Sequence, residues 1–507
     1  MAYPFLAAVY SVLALAAANG GDLERPGHLA RPLAVALGVA AGAWLLSRLV
    51  SRDPHRRGIV TFIAVVVCVS YGYWQALLLD LPPLDRLATD AVALPAAAAA
   101  IVAIGWSARS GRRTYAGVTR YLNVVMGLLV GIALVGLASA PRSASAVAGP
   151  PVPVLPSMSA GGERPHVFVI VPDKYTGSRS LLAHYAYDNG AFERALEARG
   201  LIVARKARAN YVQTSLALAA MLNWDYVDSL IRGVDPREQR RDLLYPLIED
   251  NRTARALQAL GYRFVFLPTA FAPTAANRFA DLQLPPPGVA AHEFEAAWLR
   301  TTVLYPLLGS WCDRCTGGLV WNAHESAGSI DWKFEQLERL AASDEPLFVL
   351  AHLPVPHEPY VYDAACRPTR PYWPLRDEGP NAGRVKAAYL AQLECVNRKL
   401  LRLVDSLKRN ARRPSVIMIQ SDHGHGRFGL NPPPLDAIPA PNVAERLDVL
   451  AAYHLPGAPP GLVHDSIGSV NAMRAIMRHY FGADLPPLVD ASYWSDGSRP
   501  YRLTPVR

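Results

Sequence analysis

The sequence predicts a chain in two parts: an α-helical membrane domain of about five transmembrane helices, followed by an α/β domain with a mostly parallel sheet. Three observations carry that prediction. Five apolar stretches fill the first third, separated by short loops in which arginine-rich and acidic segments alternate. A proline-rich tract at 141–165 comes next. Beyond it, short apolar runs alternate with segments of helical spacing, and several of those runs end abruptly in polar residues.

The apolar stretches are Tyr3–Ala18, 32–50, 59–79, 91–106 and 121–140. The second, third and fifth are long enough to cross a hydrocarbon core of roughly 30 Å as helices; the first and fourth are shorter and alanine-rich. An apolar content of 51% with 18% charged residues over 507 positions is high for a chain living wholly in water. The formal charge of +9 forms no basic stripe, so it reads as membrane topology and not as a nucleic-acid partner. Arg52, Arg56 and Arg57 lie between the second and third runs, with Arg48 close by, and Arg109, Arg112, Arg113 and Arg120 lie between the fourth and fifth. The alternate loops are acidic or mixed: Asp22, Glu24, Arg25 and Arg31, then Asp80, Asp85, Arg86 and Asp90. The positive-inside bias puts the amino terminus in the cytoplasm, and five crossings put everything after Ala140 outside. A cleaved signal peptide is the alternative for the first run, but its leading end has no basic residue. The expected location is therefore the inner (plasma) membrane, multi-pass, with a periplasmic or extracellular soluble part.

The tract 141–165 contains Pro-Pro-Val-Pro-Val-Leu-Pro and reads as a semi-extended linker. It separates a membrane domain (1–140) from a soluble domain (166–507). In the latter, 166–173 reads as a first strand ending in Asp173. A helix over 189–199 stops at Gly200, and a short strand covers 201–204. Asn210-Tyr-Val-Gln-Thr214 leads into a run of helix formers, which sets Thr214 or Ser215 near a helix start. Helices over 252–260, 326–342, 383–410 and 469–481 alternate with strands over 262–267, 347–353 and 416–419, with a possible further strand in 447–455.

Asp422 and His423 end the 416–419 run and are followed by glycines that allow a sharp turn. Asp173 ends the first strand, and Leu-Pro-Val-Pro-His357-Glu-Pro-Tyr follows the 347–353 strand. In an open α/β sheet these ends share one edge, where ligands bind. Asp173, Asp422 and His423 supply oxygen and nitrogen ligands for one divalent cation. The Thr214 hydroxyl would join them as a metal-bound nucleophile, with the helix start behind it favouring a developing anion. His357, and with it His425, would protonate a leaving oxygen or hold an anionic group. Asn210, Lys174 and Arg208 are within sequence reach of such a group, though a residue of each kind is more often an ordinary solvated one.

The order of Asp173, Thr214 before a helix, His357 and Asp422-His423-Gly resembles the alkaline phosphatase superfamily. It resembles most its sulfatase-like branch of lipoteichoic acid synthase and the phosphoethanolamine transferases, as do five membrane helices followed by an extracytoplasmic domain. The resemblance implies one manganese or zinc ion on Asp173, Thr214, Asp422 and His423, with Thr214 as nucleophile and His357 on the substrate side. It further implies transfer of a phospho-alcohol group from a membrane lipid to a cell-envelope glycan or lipid. Three departures accompany it: Asp173 stands where many membrane-bound members have Glu, no arylsulfatase signature surrounds Thr214, and no full second metal set can be placed, His425 being a candidate without a clear family counterpart. Hydrolysis of phosphate or sulfate esters by the same fold, and an inactive membrane-tethered scaffold, are the rival readings.

Blander roles exist for each residue. Asp173 also suits a turn, Thr214 a plain helix cap, and His357 a surface loop; His352 reads as a buried, hydrogen-bonded core histidine. Of five cysteines, Cys68 lies in an apolar run. Outside the cytoplasm, Cys312 with Cys315 and Cys366 with Cys395 are the expected bridges. Trp74, Trp106 and Tyr121 suit interfacial anchoring.

Overall fold

Among the described residues, each of the five apolar stretches holds a helix. The computed structural model describes residues 1–18, 26–79, 84, 87, 89–110, 115–139, 158, 164–287, 293–311, 326–372, 382–428 and 432–506. The chain forms two compact units, Met1–Ala144 with Gly288–Asn322, and Ser145–Pro287 with Ala323–Arg507.

The first unit contains α1 (Tyr3–Ala18), α2 (Ala30–Leu46), α3 (Pro54–Leu79), α4 (Asp90–Ser110) and α5 (Ala116–Ser139). Three helical stretches, Gly27–Leu49, Pro54–Leu78 and Ala116–Ser139, are long and apolar enough to cross a membrane, and they match the second, third and fifth apolar runs. The short α1 is the packing centre, against α2, α3 and α5. Its buried Ala7, Ala8 and Ala16 let neighbouring backbones approach. Polar side chains tie the helices together where water is scarce. Asn123 of α5 accepts from the Ala2 and Tyr3 amides at the start of α1 (3.1 and 2.9 Å), and His55 of α3 pairs with Thr119 of α5 (3.0 Å). The starts of α1, α3 and α5 thus lie at one end of the bundle.

The second unit is organised by a seven-stranded sheet. Its strands are β1 (His166–Pro172), β2 (Ile202–Val203), β3 (Arg263–Leu267), β4 (Leu282–Gln283) and β5 (Leu347–Leu353), with β6 (Tyr360–Tyr362) and β7 (Pro368–Tyr372) forming a separate hairpin. β8 (Ser415–Gln420) and β9 (Ala451–His454) return to the sheet, and β10 (Ser492–Asp496) pairs with β11 (Arg499–Val506). The sheet order is β2-β9-β8-β1-β5-β3-β4. β8, β1, β5, β3 and β4 run parallel, and β9 is antiparallel to both β8 and β2.

Both faces of β1 are covered, which is why its sequence is continuously apolar. Val167, Val169 and Val171 face one core with the helix Thr214–Asn223. Phe168 and Ile170 face the other, with the long helix Ala382–Asn410. The register pairs Pro172 with Leu353 and Ile170 with Ile419. Three neighbouring strands therefore release their chains at the same edge.

The Cys366–Cys395 bridge forms and joins the turn between β6 and β7 to the long helix; Cys312 and Cys315 lie outside the described residues. The bridge closes a loop of 29 residues. Reducing it, or making Cys395→Ser, should lower the stability of the α/β unit by about 3 kcal/mol, chiefly by freeing the unfolded chain. The check is a denaturant titration followed by tryptophan fluorescence with and without reductant.

Candidate metal centre

The site is assembled by the middle three strands. β1 delivers Asp173, β5 delivers His352 and then His357, and β8 delivers Asp422 and His423. Strands in a sheet lie ~4.8 Å apart, so side chains from three adjacent strand ends can converge on one point. The turn after β8 needs Gly424, because a Cβ there would lie 2.0 Å from the Glu445 carbonyl oxygen. Ser421 secures the same turn by donating to the His423 carbonyl (2.9 Å) and accepting from the Tyr175 amide (3.0 Å).

His423 Nε2 is the meeting point. It lies 3.1 Å from Thr214 Oγ1, 3.3 Å from Asp422 Oδ2 and 3.9 Å from Asp173 Oδ1. In a tetrahedral site with bonds of about 2.1 Å, neighbouring ligand atoms are about 3.4 Å apart, and the three separations bracket that spacing. The tautomer also suits ligation. His423 Nδ1 donates to the Gly424 carbonyl (3.1 Å), and Nε2 accepts from Arg446 Nη2 (3.2 Å), so the lone pair is on Nε2. Burial and the Arg446 charge hold the imidazole well below its ordinary range, which keeps it neutral.

Asp173 has a histidine on each side: Oδ1 faces His423 and Oδ2 lies 3.4 Å from His352 Nε2. Asp173, His352 and Asp422 each offer a ligand atom within 4.8 Å of the others, and all three are buried. Asp173 Oδ1, Asp422 Oδ2 and His352 Nε2 have no hydrogen-bond partner. Orphaned buried acceptors are costly, and two carboxylates sharing a dry space cannot both ionise without a compensating charge. Burial and the neighbouring Asp173 charge push Asp422 up to about 7. Burial also raises Asp173, but His357, His352 and His423 together outweigh it and hold this carboxyl below its usual range. The donor set and its orphaned atoms fit a divalent cation.

Four residues singled out in the sequence, Asp173, Thr214, Asp422 and His423, come together here. Thr214 is the first residue of its helix and half-buried, with its hydroxyl toward His423. His357 lies beside them: its amide donates to the Asp173 carbonyl (3.1 Å), and its partly exposed ring sits 3.6 Å from Glu358 Oε2.

The expectation for Asn210 fails. Its amide donates to the Ala491 carbonyl (2.8 Å) and accepts from Ser469 Oγ (3.0 Å) and the Val470 amide (3.1 Å), so it holds the start of the helix Ser469–Phe481. His425 is enclosed among Tyr185, Tyr360 and Tyr389, bonded to the first two hydroxyls (3.1 and 3.4 Å). It belongs to the wall of the site and does not reach open space. Lys174 is no solvated residue: its ammonium grips both Glu358 oxygens (2.9 and 3.0 Å), fully buried. Sequence reasoning read His352 as a core histidine and missed its place beside the acids. It is buried and hydrogen-bonded through Nδ1 to Thr274 (3.1 Å), as a core histidine would be, but Nε2 faces the acids. A polar residue interrupting β5 one step before its end was the available signal.

No family model matches the sequence, and no curated protein matches it. Solved structures of similar fold include the C-terminal periplasmic domain of EcEptC from Escherichia coli in complex with zinc. It is 12% identical, with 70% of this chain and 96% of that one covered and a TM-score of 0.45. Lipooligosaccharide phosphoethanolamine transferase A from Neisseria meningitidis, an integral membrane protein, is 14% identical over 94% of this chain and 95% of that one, at 0.40. A protein of the alkaline phosphatase superfamily from Vibrio parahaemolyticus is 13% identical over 71% and 80%, also at 0.40. Likenesses of this depth leave the chemistry to be argued from the site itself.

A ligand carboxylate must be ionised, and Asp422 resists ionisation. Because its folded value is raised, the stability it contributes is present at acid pH and is lost as pH climbs toward about 7. Chelator-treated protein should therefore melt lower at about pH 8 than at about pH 5, and the increment restored by zinc or manganese should grow across that window. Calorimetry at both pH values checks this; an increment independent of pH would remove Asp422 from the ligand set.

Proposed function

We propose that this chain is a membrane-anchored, metal-dependent enzyme of the alkaline-phosphatase type. It transfers a phospho-alcohol group, of the phosphoethanolamine or phosphoglycerol kind, from a membrane lipid to a cell-envelope glycan or lipid. One observation carries the reading: a half-buried threonine hydroxyl at a helix start, 3.1 Å from a neutral imidazole nitrogen that two carboxylates also approach. A structural threonine cap has no use for an anionic pair with orphaned oxygens.

Asp173, Asp422, His423 and Thr214 would hold one divalent cation, with zinc or manganese suited to this mixed donor set. When bound, such an ion favours the alkoxide form of an adjacent hydroxyl and offsets phosphoryl charge. The helix Thr214–Asn223 turns its unpaired N–H groups toward an anion at its start. Thr214 Oγ1, as alkoxide, attacks the lipid phosphorus. An Oγ1–P bond forms while the P–O bond to the diacylglycerol breaks, and protonated His357 gives its proton to the leaving oxygen. The acceptor hydroxyl then attacks the phospho-threonine, returns its proton to His357 and displaces Thr214 as alkoxide. Glu358, beside His357 and locked to Lys174, keeps that imidazole at the edge of the site. The five-helix unit supports a lipid donor, since an anchored catalyst and its donor share the interface. The arginine bias of the loops supports an extracytoplasmic α/β domain.

Incubation with headgroup-labelled phospholipid, followed by digestion and mass spectrometry, should find the label on Thr214. Thr214→Ala should reduce turnover at least about a thousandfold while leaving the melting temperature unchanged. Diacylglycerol release with no labelled acceptor would turn the reading to hydrolysis. Full cellular activity of both Thr214→Ala and Asp422→Ala would overturn catalysis and leave a scaffold.

A further inference from the structure

Residues 293–303 lie far along the soluble part of the sequence, yet they pack inside the membrane-helix unit. We propose that this segment is a clasp, a non-covalent anchor separate from the 141–165 linker, whose partner is the paired outer halves of α1 and α3. The inference is independent of the chemistry assigned to Thr214.

The helix Glu293–Arg300 buries Phe294, Trp298 and Leu299 in the same apolar cluster as Ala8, Val12, Val65 and Val69. Trp298 Nε1 donates to Ser11 Oγ on α1 (3.2 Å). The turn that follows bonds to α3 through the main chain. Gly72 N donates to the Thr301 carbonyl (2.9 Å), and Val303 N donates to the Cys68 carbonyl (2.7 Å). Gly72 and Cys68 are four residues apart, so they are the donor and acceptor of a single helical rung. Paired backbone bonds to one rung of another helix define a register, which contact with lipid would not do.

Gly72 is what permits the approach. A Cβ there would lie 2.3 Å from the Arg300 carbonyl oxygen and 2.9 Å from Thr301 Cα, both backbone atoms that cannot swing aside. The exposed Arg31–Glu295 pair (3.4 Å) adds little by comparison.

The location agrees with the charge pattern. Ser11 is in the second half of α1, Cys68 and Gly72 are in the second half of α3, and Arg31 is at the start of α2. The arginine-rich loop residues 48–57 lie at the other end, where Arg57 stacks on Trp44 (4.1 Å) and His55 meets Thr119. The clasp thus grips the end that the positive-inside bias puts outside, where a segment of the exported domain can reach it.

The test uses the full chain in native membranes, with a site for a specific protease inserted in the linker. After complete cleavage and a high-salt wash, the fragment carrying the α/β domain should remain in the membrane pellet. Gly72→Leu, and separately Trp298→Ala, should release most of it. Gly38→Leu is the control, because a side chain there meets nothing within 4 Å, and this variant should retain the fragment. Release from the unmodified chain would overturn the proposal. So would retention in both Gly72→Leu and Trp298→Ala, which would mean that lipid alone holds the fragment, and so would equal release from the Gly38→Leu control.

Discussion

Asp173 and Asp422, on neighbouring strand ends, are forced into one dry space, and the rest of the α/β unit can be understood from that constraint. Two like charges a few ångströms apart, away from water, are unfavourable unless positive charge joins them. The protein surrounds the pair with His352, His423 and His357, yet leaves one oxygen of each acid without a hydrogen bond. A fold selected only for stability would replace such a pair with apolar residues. Retaining it implies that something outside the polypeptide completes it.

The supporting parts follow from keeping that pair in place. The β8-β1-β5 order brings residues about 250 positions apart to one edge. Arg446, itself buried, donates to the Val212, Gly424 and His425 carbonyls (2.9, 3.0 and 3.0 Å), and so stiffens both the approach to Thr214 and the turn carrying His423. The Lys174–Glu358 pair locks the residue after Asp173 to the residue after His357. Removing either partner would strand a buried charge, so the pair is a rigid strut between two arms of the site.

Much of this was legible in the sequence, for identifiable reasons. A strand buried on both faces has to be a continuous apolar run, so β1, β5 and β8 announced themselves, and their polar ends marked the edge. The arginine loops and the long apolar runs likewise marked the helices. His352 was marked only by its place, a polar residue one step before the end of β5, because burial looks the same for a core histidine and for one facing two acids; the orphaned Nε2 separates them. Lys174 and Glu358 are 184 positions apart, and no local pattern pairs them. Asn210 misled through proximity: it is four residues before Thr214, but its amide is held by the start of the helix Ser469–Phe481. The clasp carries no membrane-like length, and its close contact with α3 depends on a glycine more than two hundred positions earlier.

The account rests on a cation between Asp173 and Asp422, and elemental analysis of the purified, intact chain tests it most directly. One divalent ion per chain is expected, retained through gel filtration, and absent from Asp173→Asn and Asp422→Asn variants that still fold. A wild-type protein that carries no ion and takes up none from solution, or variants that hold it as well as the wild type, would contradict the account.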